Sequence, residues 1–440
     1  MAVFDQAATG HFRLSNVLAG VFDAGLRPLH ALIVAPALVF LVTLGLMLFH
    51  APDGPAFPYD RFSLGMLVFV VFLRACVLRK AFHVAGPVTW PLFVLLILAL
   101  NDALAQPYQP EIWSVLAAKW LVPFVLYLIA ANIFPGEDKR RQFEIFALAT
   151  FAYLSLTSIF LVLGVKSFVF PRFILDESLG IHAGRARGPF LQAVANGVAL
   201  NLLGLIALDS YRRHRLRGML AISLMLILPF AILATYTRAV WLSFGVSILG
   251  VTLISSSGRV RRACLGIIIC GALALMVVVN FTDHHRSLSE RLRENGPLEF
   301  RMAVYEAGWE MFRQKPVLGW GGRNMQAELS RRISDFRQEQ YYFHNTYLEI
   351  LVQYGLLGIG LYLWLVIDLF RVGRRCAADH SPTGSFPDQE FRSLWPILLF
   401  VYLMNASFVV MNYQFVNGLL FAMAGMLNAQ NQRGESNGEC

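Results

Sequence analysis

The stretch "YYFHNTYLEILVQYGLLGIG", residues 341–360, passes from polar aromatic sequence into an apolar run, with His344 and Asn345 at the junction. A helix entering lipid here presents unpaired N–H groups and partial positive charge at its first turn. That field disfavours imidazolium, so His344 is expected to be a neutral ring able to accept a proton. A polar residue capping the helix at the interface is the plainer role for it. Glu349 lies about a turn and a half deeper on the same run. A carboxylate at that depth needs a partner, and Lys119 or one of the outer arginines can supply it.

Arginines converge on the same side of the chain. Arg185 and Arg187 stand in "GRARGPF", Arg238 in "TYTRAVWLSF", Arg301 in "LEFRMAVYEAGW" and Arg323 in "LGWGGRN". Guanidinium forks hold phosphate oxygens two at a time. A base beside such a cluster suits group transfer, in which a hydroxyl loses its proton while a diphosphate departs. The arginines then stabilise the charge that develops on the leaving group. Solvation in a long loop, or snorkelling to the headgroups, is the competing account for each cation. That account is weakest for Arg238, because the connection before it is too short to lift it clear of the outer lipid surface. Tyr342 and Asn345 flank His344 and are candidate substrate contacts, with Arg185, Arg323, Glu349 and Lys119 as further ones.

These residues need elements to hold them. Of the 440 residues, 57% are hydrophobic and 15% charged, against about 25% charged in soluble domains. Apolar runs fall at 29–49, 62–78, 88–105, 113–134, 144–164, 190–208, 219–235, 239–254, 264–280, 345–370, 394–412 and 415–428. Their lengths suit roughly 30 Å of hydrocarbon and their continuity excludes the alternation of a barrel. The expected fold is an all-α polytopic membrane protein with about twelve transmembrane helices. The expected order is a cytoplasmic segment 1–28, helices one to nine over 29–280, and a large helical periplasmic loop 281–343. Helices ten to twelve over 344–428 and a cytoplasmic tail 429–440 complete it. Short segments rich in Lys and Arg, such as 74–80, 139–141, 212–217 and 259–262, fall on one side and put both termini inside. The net charge of +9 then needs no nucleic acid to explain it.

Within the large loop, residues 298–314 show apolar residues at helical spacing, an amphipathic helix lying on or over the membrane's outer face. A glycine-rich turn through Gly319, Gly321 and Gly322 follows, whose N–H groups could approach an anion, and then a polar helix over 325–340. No cysteine falls in an outer loop, so no disulfide staples the exterior, and there is no C-x-x-C pair. Adjacent His284 and His285 in a loop read as solvated residues. No phosphate-binding or zinc-protease signature occurs, so ATP hydrolysis and zinc proteolysis have no support, and the group transfer above need involve no metal or cofactor.

"HNTYLEILVQYGLLG" closely resembles the signature of the O-antigen ligase and O-antigen polymerase superfamily. It follows Arg301, Trp309 and "QKPVLGWGGRN", which resemble the family's preceding segment, and "RARGPFLQAVANG" and "TRAVWLSF" resemble two earlier blocks. The resemblance spans roughly residues 185–360, and the first five apolar runs share only hydropathy with the family. It implies a multi-pass glycosyltransferase of the Gram-negative inner membrane with its active site facing the periplasm. The ligases of this family move O-antigen polysaccharide from undecaprenyl pyrophosphate to lipid A–core oligosaccharide, with inversion and without metal or nucleotide sugar. The resemblance assigns His344 as general base on the acceptor hydroxyl and Arg187, Arg238 and Arg301 to the diphosphate; Arg185 and Arg187 compete for the first arginine.

An O-antigen polymerase or a protein O-oligosaccharyltransferase would use the same lipid-linked donor. The latter carries a larger outer region near its end, which this sequence lacks. A secondary transporter of twelve spans is the alternative from another class. It calls for two similar halves joined by a long inner linker. Here the connection at 209–218 is short and no repetition of halves is found.

Overall fold

The computed structural model describes residues 35–49, 58–79, 82–84, 86–180, 182–281, 296–333, 342–374 and 386–436. Among them every regular element is helical. A helix lies over each apolar run: α1 (Pro36–Leu48), α2 (Tyr59–Leu78), α3 (Thr89–Leu104), α4 (Pro110–Ile133), α5 (Glu137–Val162), α6 (Ala193–Arg212), α7 (Gly218–Leu233), α8 (Arg238–Ile254) and α9 (Gly258–Phe281). After the large outer loop come α12 (Thr346–Arg374), α13 (Gln389–Ala406) and α14 (Gln414–Ser436). Hydrocarbon offers no partner for backbone N–H and C=O, which is why such sequence must become helix. In length and apolarity α4, α5, α6 and α12 suffice to cross a membrane, while α1, α3, α7 and α8 are shorter apolar helices.

The loop itself holds α10 (Gly296–Gln314) and α11 (Gly321–Arg332). The second begins four residues earlier than the expected polar helix, because Gly321 and Gly322 enter it rather than forming a free turn. The tail expected from residue 429 starts as helix, since α14 runs on to Ser436. His284 and His285, the segment 1–28, and residues 334–341 of the expected polar helix lie outside the described residues.

At the centre stands α6, buried from Ala193 to Ser210 apart from Val194. Around it pack α5, α7, α8 and α13, and α14 lies along α4. The apolar residues form two cores. One fills the bundle; the other joins Val304, Ala307 and Met311 of α10 to Met325 and Leu329 of α11 and to Phe343 and Val352. That second core fastens α10 and α11 to the start of α12.

The N-terminal parts of α5 and α13 and the C-terminal end of α6 carry a buried ionic network. Arg213 bridges Glu144 at 2.7 Å and Asp209 at 2.8 Å, and Arg212 pairs with Asp209 and Asp388. Arg140 donates to the Phe386 carbonyl at 2.6 Å, and Arg392 to Asn431 and Gln430. Arginines that in the sequence read as topology signals are therefore also buried links between helices.

Candidate active site

His344 sits in a turn held on both sides. Phe343 before it is buried in the second core against α10. Asn345 after it caps α12, its Oδ1 accepting from the backbone N–H groups of Tyr347 at 3.0 Å and Leu348 at 3.1 Å. Between these anchors His344 adopts φ +49, a left-handed conformation that side-chain-bearing residues seldom hold outside functional or strongly constrained positions. The half-buried ring meets the edge of Phe300 on α10, with centroids 6.4 Å apart. Arg301, the next residue of α10, is half-buried and acts on the imidazole. Burial first, and the Arg301 cation second, hold the His344 pKa below the ordinary histidine value. Both effects favour the uncharged form of the ring.

Thr346 ties this turn to the bundle. Its hydroxyl donates to the Val409 carbonyl at 2.8 Å and accepts from the Met411 N–H at 3.0 Å. Glu349 faces α4 and ion-pairs with Lys119, Oε1 to Nζ 3.4 Å, both side chains almost fully buried. Lys119 stands in a π-helical turn, Ala117–Leu121, inside α4. Of the partners open to Glu349 in the sequence, the structure selects this lysine.

Helix α12 is broken at Gly355, where φ is +64 and ψ −156. The segment Pro316–Trp320 is inserted at the break. The N–H groups of Leu356 and Leu357 donate to the carbonyls of Pro316 at 2.7 Å and Val317 at 3.2 Å, and Trp320 N–H donates to Val352 O at 2.9 Å. A Cβ on Gly355 would stand 2.4 Å from Val317 O, and one on Gly319 2.4 Å from Gln353 O. The "KPVLGWGG" segment thus seats the outer loop on α12. Its turn does approach an anion, but one belonging to the chain: Asp102 at the outer end of α3 accepts from the Gly322 N–H at 2.6 Å and from Gln353 Nε2 at 2.7 Å.

The remaining arginines are treated unequally. Arg187, expected at the diphosphate, is fully buried. Its guanidinium donates to the carbonyls of Ile174 at 2.8 and 3.2 Å and also to those of Asp176 and Leu179. Arg185 is half-buried and Arg238, the first residue of α8, is exposed. Ala186 between Arg185 and Arg187 is fixed on both sides, its N–H donating to Ala234 O at 2.9 Å and its carbonyl accepting from Asn196 Nδ2 at 2.9 Å. The peptide beside Arg185 is thereby bonded to the turn that leads into Arg238. Beneath that turn lies an apolar cavity of about 280 Å³ among α5, α7, α8 and α9, with Tyr236 and Trp241 in its wall.

The connector 407–413 joins the two groups. It receives Thr346, and Tyr413 neighbours Gln192, just past the Arg185 turn. At the end of α13, Asn405 Nδ2 donates to Ser243 Oγ of α8 at 2.9 Å. The His344 turn and the Arg185–Arg238 turns therefore flank one end of α13. Tyr342 is exposed beside His344, and Arg323 lies in the first turn of α11, with its side chain outside the described residues. Asp102, Thr346 and Tyr413 escaped the sequence reading. Asp102 carried a usable signal, a carboxylate near the end of an apolar run, the same feature that marked Lys119.

Residues 220–363 match the family model described as O-antigen ligase. The matched segment includes Arg238, Arg301, Arg323, Tyr342, His344, Asn345 and Glu349, whereas Lys119, Arg185 and Arg187 precede it. A comparison with curated proteins finds no match. Residues 220–363 are therefore similar to an O-antigen ligase domain, in a chain with four described helices long and apolar enough to cross a membrane.

Proposed function

We propose that this protein is an O-antigen ligase, transferring O-antigen polysaccharide from undecaprenyl pyrophosphate to lipid A–core oligosaccharide on the periplasmic face of the inner membrane. In this reading the chain crosses the membrane twelve times with both termini in the cytoplasm. His344 takes the proton of an acceptor hydroxyl. The freed oxygen attacks the anomeric carbon of the donor glycan, the carbon–oxygen bond to the diphosphate breaks, and the diphosphate leaves with the electron pair. In-line attack inverts the anomeric centre. Arg238, Arg301 and an arginine of the 185–187 block stabilise the leaving diphosphate, with Arg323 near the loop's edge. Asn345 and Tyr342 border the acceptor side, and the Lys119–Glu349 pair holds the helix that carries them.

The observation that carries this reading is the placement of a half-buried His344, its pKa lowered by burial and by Arg301, at the same end of the bundle as Arg238. The apolar cavity under the Arg238 turn suits a donor that arrives on a lipid chain.

The test is reconstitution with purified undecaprenyl-pyrophosphate glycan and lipid A–core, with and without chelator. Transfer to lipid A–core by the wild type, unaffected by chelator and lost in His344→Ala, is expected. Extension of the lipid-linked glycan instead would make the protein a polymerase, and glycan joined to a polypeptide would make it a protein oligosaccharyltransferase. Full activity of His344→Ala would remove the base assignment.

A further inference from the structure

We propose that Arg217, Arg259 and Arg262, at the end of the bundle opposite His344, bind the headgroup phosphate of an anionic phospholipid whose acyl chains lie along α7 and α9. This lipid site is independent of the glycan-transfer reading.

The three cations come from two separate segments. Arg217 is the residue before α7, and Arg259 and Arg262 lie at the start of α9. The two helices pack against each other, and their starts are drawn together around His214. Arg259 Nη1 lies 2.7 Å from a ring nitrogen of His214, and Arg217 Nε donates to the His214 carbonyl. Arg259 also stands over the Tyr211 ring, 5.7 Å from its centroid. Arg262 Nε donates to Gly258 O of its own helix at 3.4 Å.

A guanidinium has five N–H donors and no acceptor. Arg212 and Arg213, a few residues before Arg217, spend theirs on Asp209, Asp388 and Glu144. Arg215 is paired with Glu137 at 3.5 Å, and Arg261 Nε donates to Ser255 O at the end of α8. Among the described residues no carboxylate pairs with Arg217, Arg259 or Arg262, and the terminal N–H groups of Arg217 and Arg262 have no acceptor. The backbone adds to the demand for an anion. No side chain caps α7, and neither α7 nor α9 has an acidic residue in its first turn. Cations thus stand where the helix field itself is positive and where carboxylates are favoured. A phosphate held between the guanidinium forks offsets both.

The surface next to these cations selects a lipid over a free anion. Met219, Ile222 and Leu226 of α7 are exposed, as are Leu265, Ile269 and Leu273 of α9. The second stripe continues from Arg262 at helical spacing, so one face of α9 runs from a guanidinium straight into hydrocarbon side chains. An exposed apolar face of this extent calls for cover. A molecule with phosphate at one end and acyl chains below it meets both parts of the surface, as anionic lipids do at basic sites between membrane helices.

The experiment uses the full-length protein, stripped of lipid in neutral detergent. It is titrated with phosphatidylglycerol or with phosphatidylcholine, with excess sodium phosphate as competitor. Binding is read by native mass spectrometry, together with the melting temperature. The wild type is expected to bind phosphatidylglycerol more tightly than phosphatidylcholine and to melt higher with it. Arg262→Gln is expected to weaken phosphatidylglycerol about fivefold, and the triple variant Arg217→Gln, Arg259→Gln, Arg262→Gln about a hundredfold, with phosphatidylcholine unchanged. The site is overturned if the triple variant binds phosphatidylglycerol like wild type, or if the wild type does not distinguish the two lipids. Sodium phosphate that raises the melting temperature as much as phosphatidylglycerol, and displaces it, overturns the lipid in favour of a free anion. Should the triple variant fail to fold, Arg262→Gln decides, since its one hydrogen bond is to its own helix.

Discussion

Lys119 Nζ and Glu349 Oε1 lie 3.4 Å apart, on α4 and α12, with side-chain exposures of 5% and 13%. Each supplies the charge the other needs away from water. Removing one partner of such a pair strands a buried ion at a cost of about 3–5 kcal/mol, whereas removing both is often close to neutral. Lys119→Met and Glu349→Leu are each expected to lower thermal stability in detergent sharply, and the double variant to recover most of it. A double variant as unstable as the worse single would show that the pair is not the interaction at stake.

The His344 ring offers a pH signature. Its pKa is held below 6.5 by burial and by Arg301. A depressed pKa keeps the base form present as pH falls below the ordinary histidine range, so transfer persists into mildly acid conditions and fails only when the ring protonates. Arg301→Gln removes a cation that opposes protonation. The pKa then rises, and the acid limb of the kcat profile is expected to move to higher pH. A limb that stays in place would mean Arg301 does not act on this base.

Loss of the base itself should be larger than loss of any one arginine acting on the donor alone. General-base catalysis contributes about 10²–10⁴-fold. His344→Asn is expected to cut kcat by that order while leaving donor KM nearly unchanged, because the proposed base acts on the acceptor hydroxyl. A rise in donor KM with kcat preserved would place His344 in donor binding.

Much of this site was legible because ionisable groups in apolar sequence are costly. That rule picks out His344, Glu349, Lys119 and Arg238 without any knowledge of the fold. It could not foresee that carbonyls at 174–179 fold back around Arg187. Nor could Gly355 be read as a break. A glycine inside an apolar run is ordinary in a membrane helix, and the inserted Pro316–Trp320 segment comes from far upstream. The positions of the helices followed from hydropathy. Which of their ends gather together depends on the connector 407–413, whose residues looked like the junction of two spans.

The break in α12 gives a contrast between glycines. Gly355→Ala meets two obstacles, a positive φ and a Cβ 2.4 Å from Val317 O. Backbone conformations of this kind cost about 1–3 kcal/mol before any clash. Gly65 lies exposed within α2, with nothing within 4 Å of a Cβ built there. Gly65→Ala is expected to leave the melting temperature unchanged or raise it slightly. Gly355→Ala is expected to lower it and to impair transfer, because the outer loop that carries Arg301 is seated on that break. Equal behaviour of the two variants would argue against the inserted segment as the seat of the loop.

The inner network supplies the last test, since it lies at the opposite ends of the helices from His344. Arg213 is the shared partner of Glu144 and Asp209, and all three side chains are at most 4% exposed. Arg213→Met leaves the buried Glu144 without its cation and Asp209 with Arg212 alone, at a cost of about 3–5 kcal/mol. Its melting temperature should therefore fall strongly. The chemistry at the outer end is untouched, so the protein that does fold is expected to show wild-type donor KM and kcat. A change in KM at full stability would mean instead that the two ends of the bundle are energetically coupled through α5 and α6, and that Arg213 belongs to the working site rather than to its foundation.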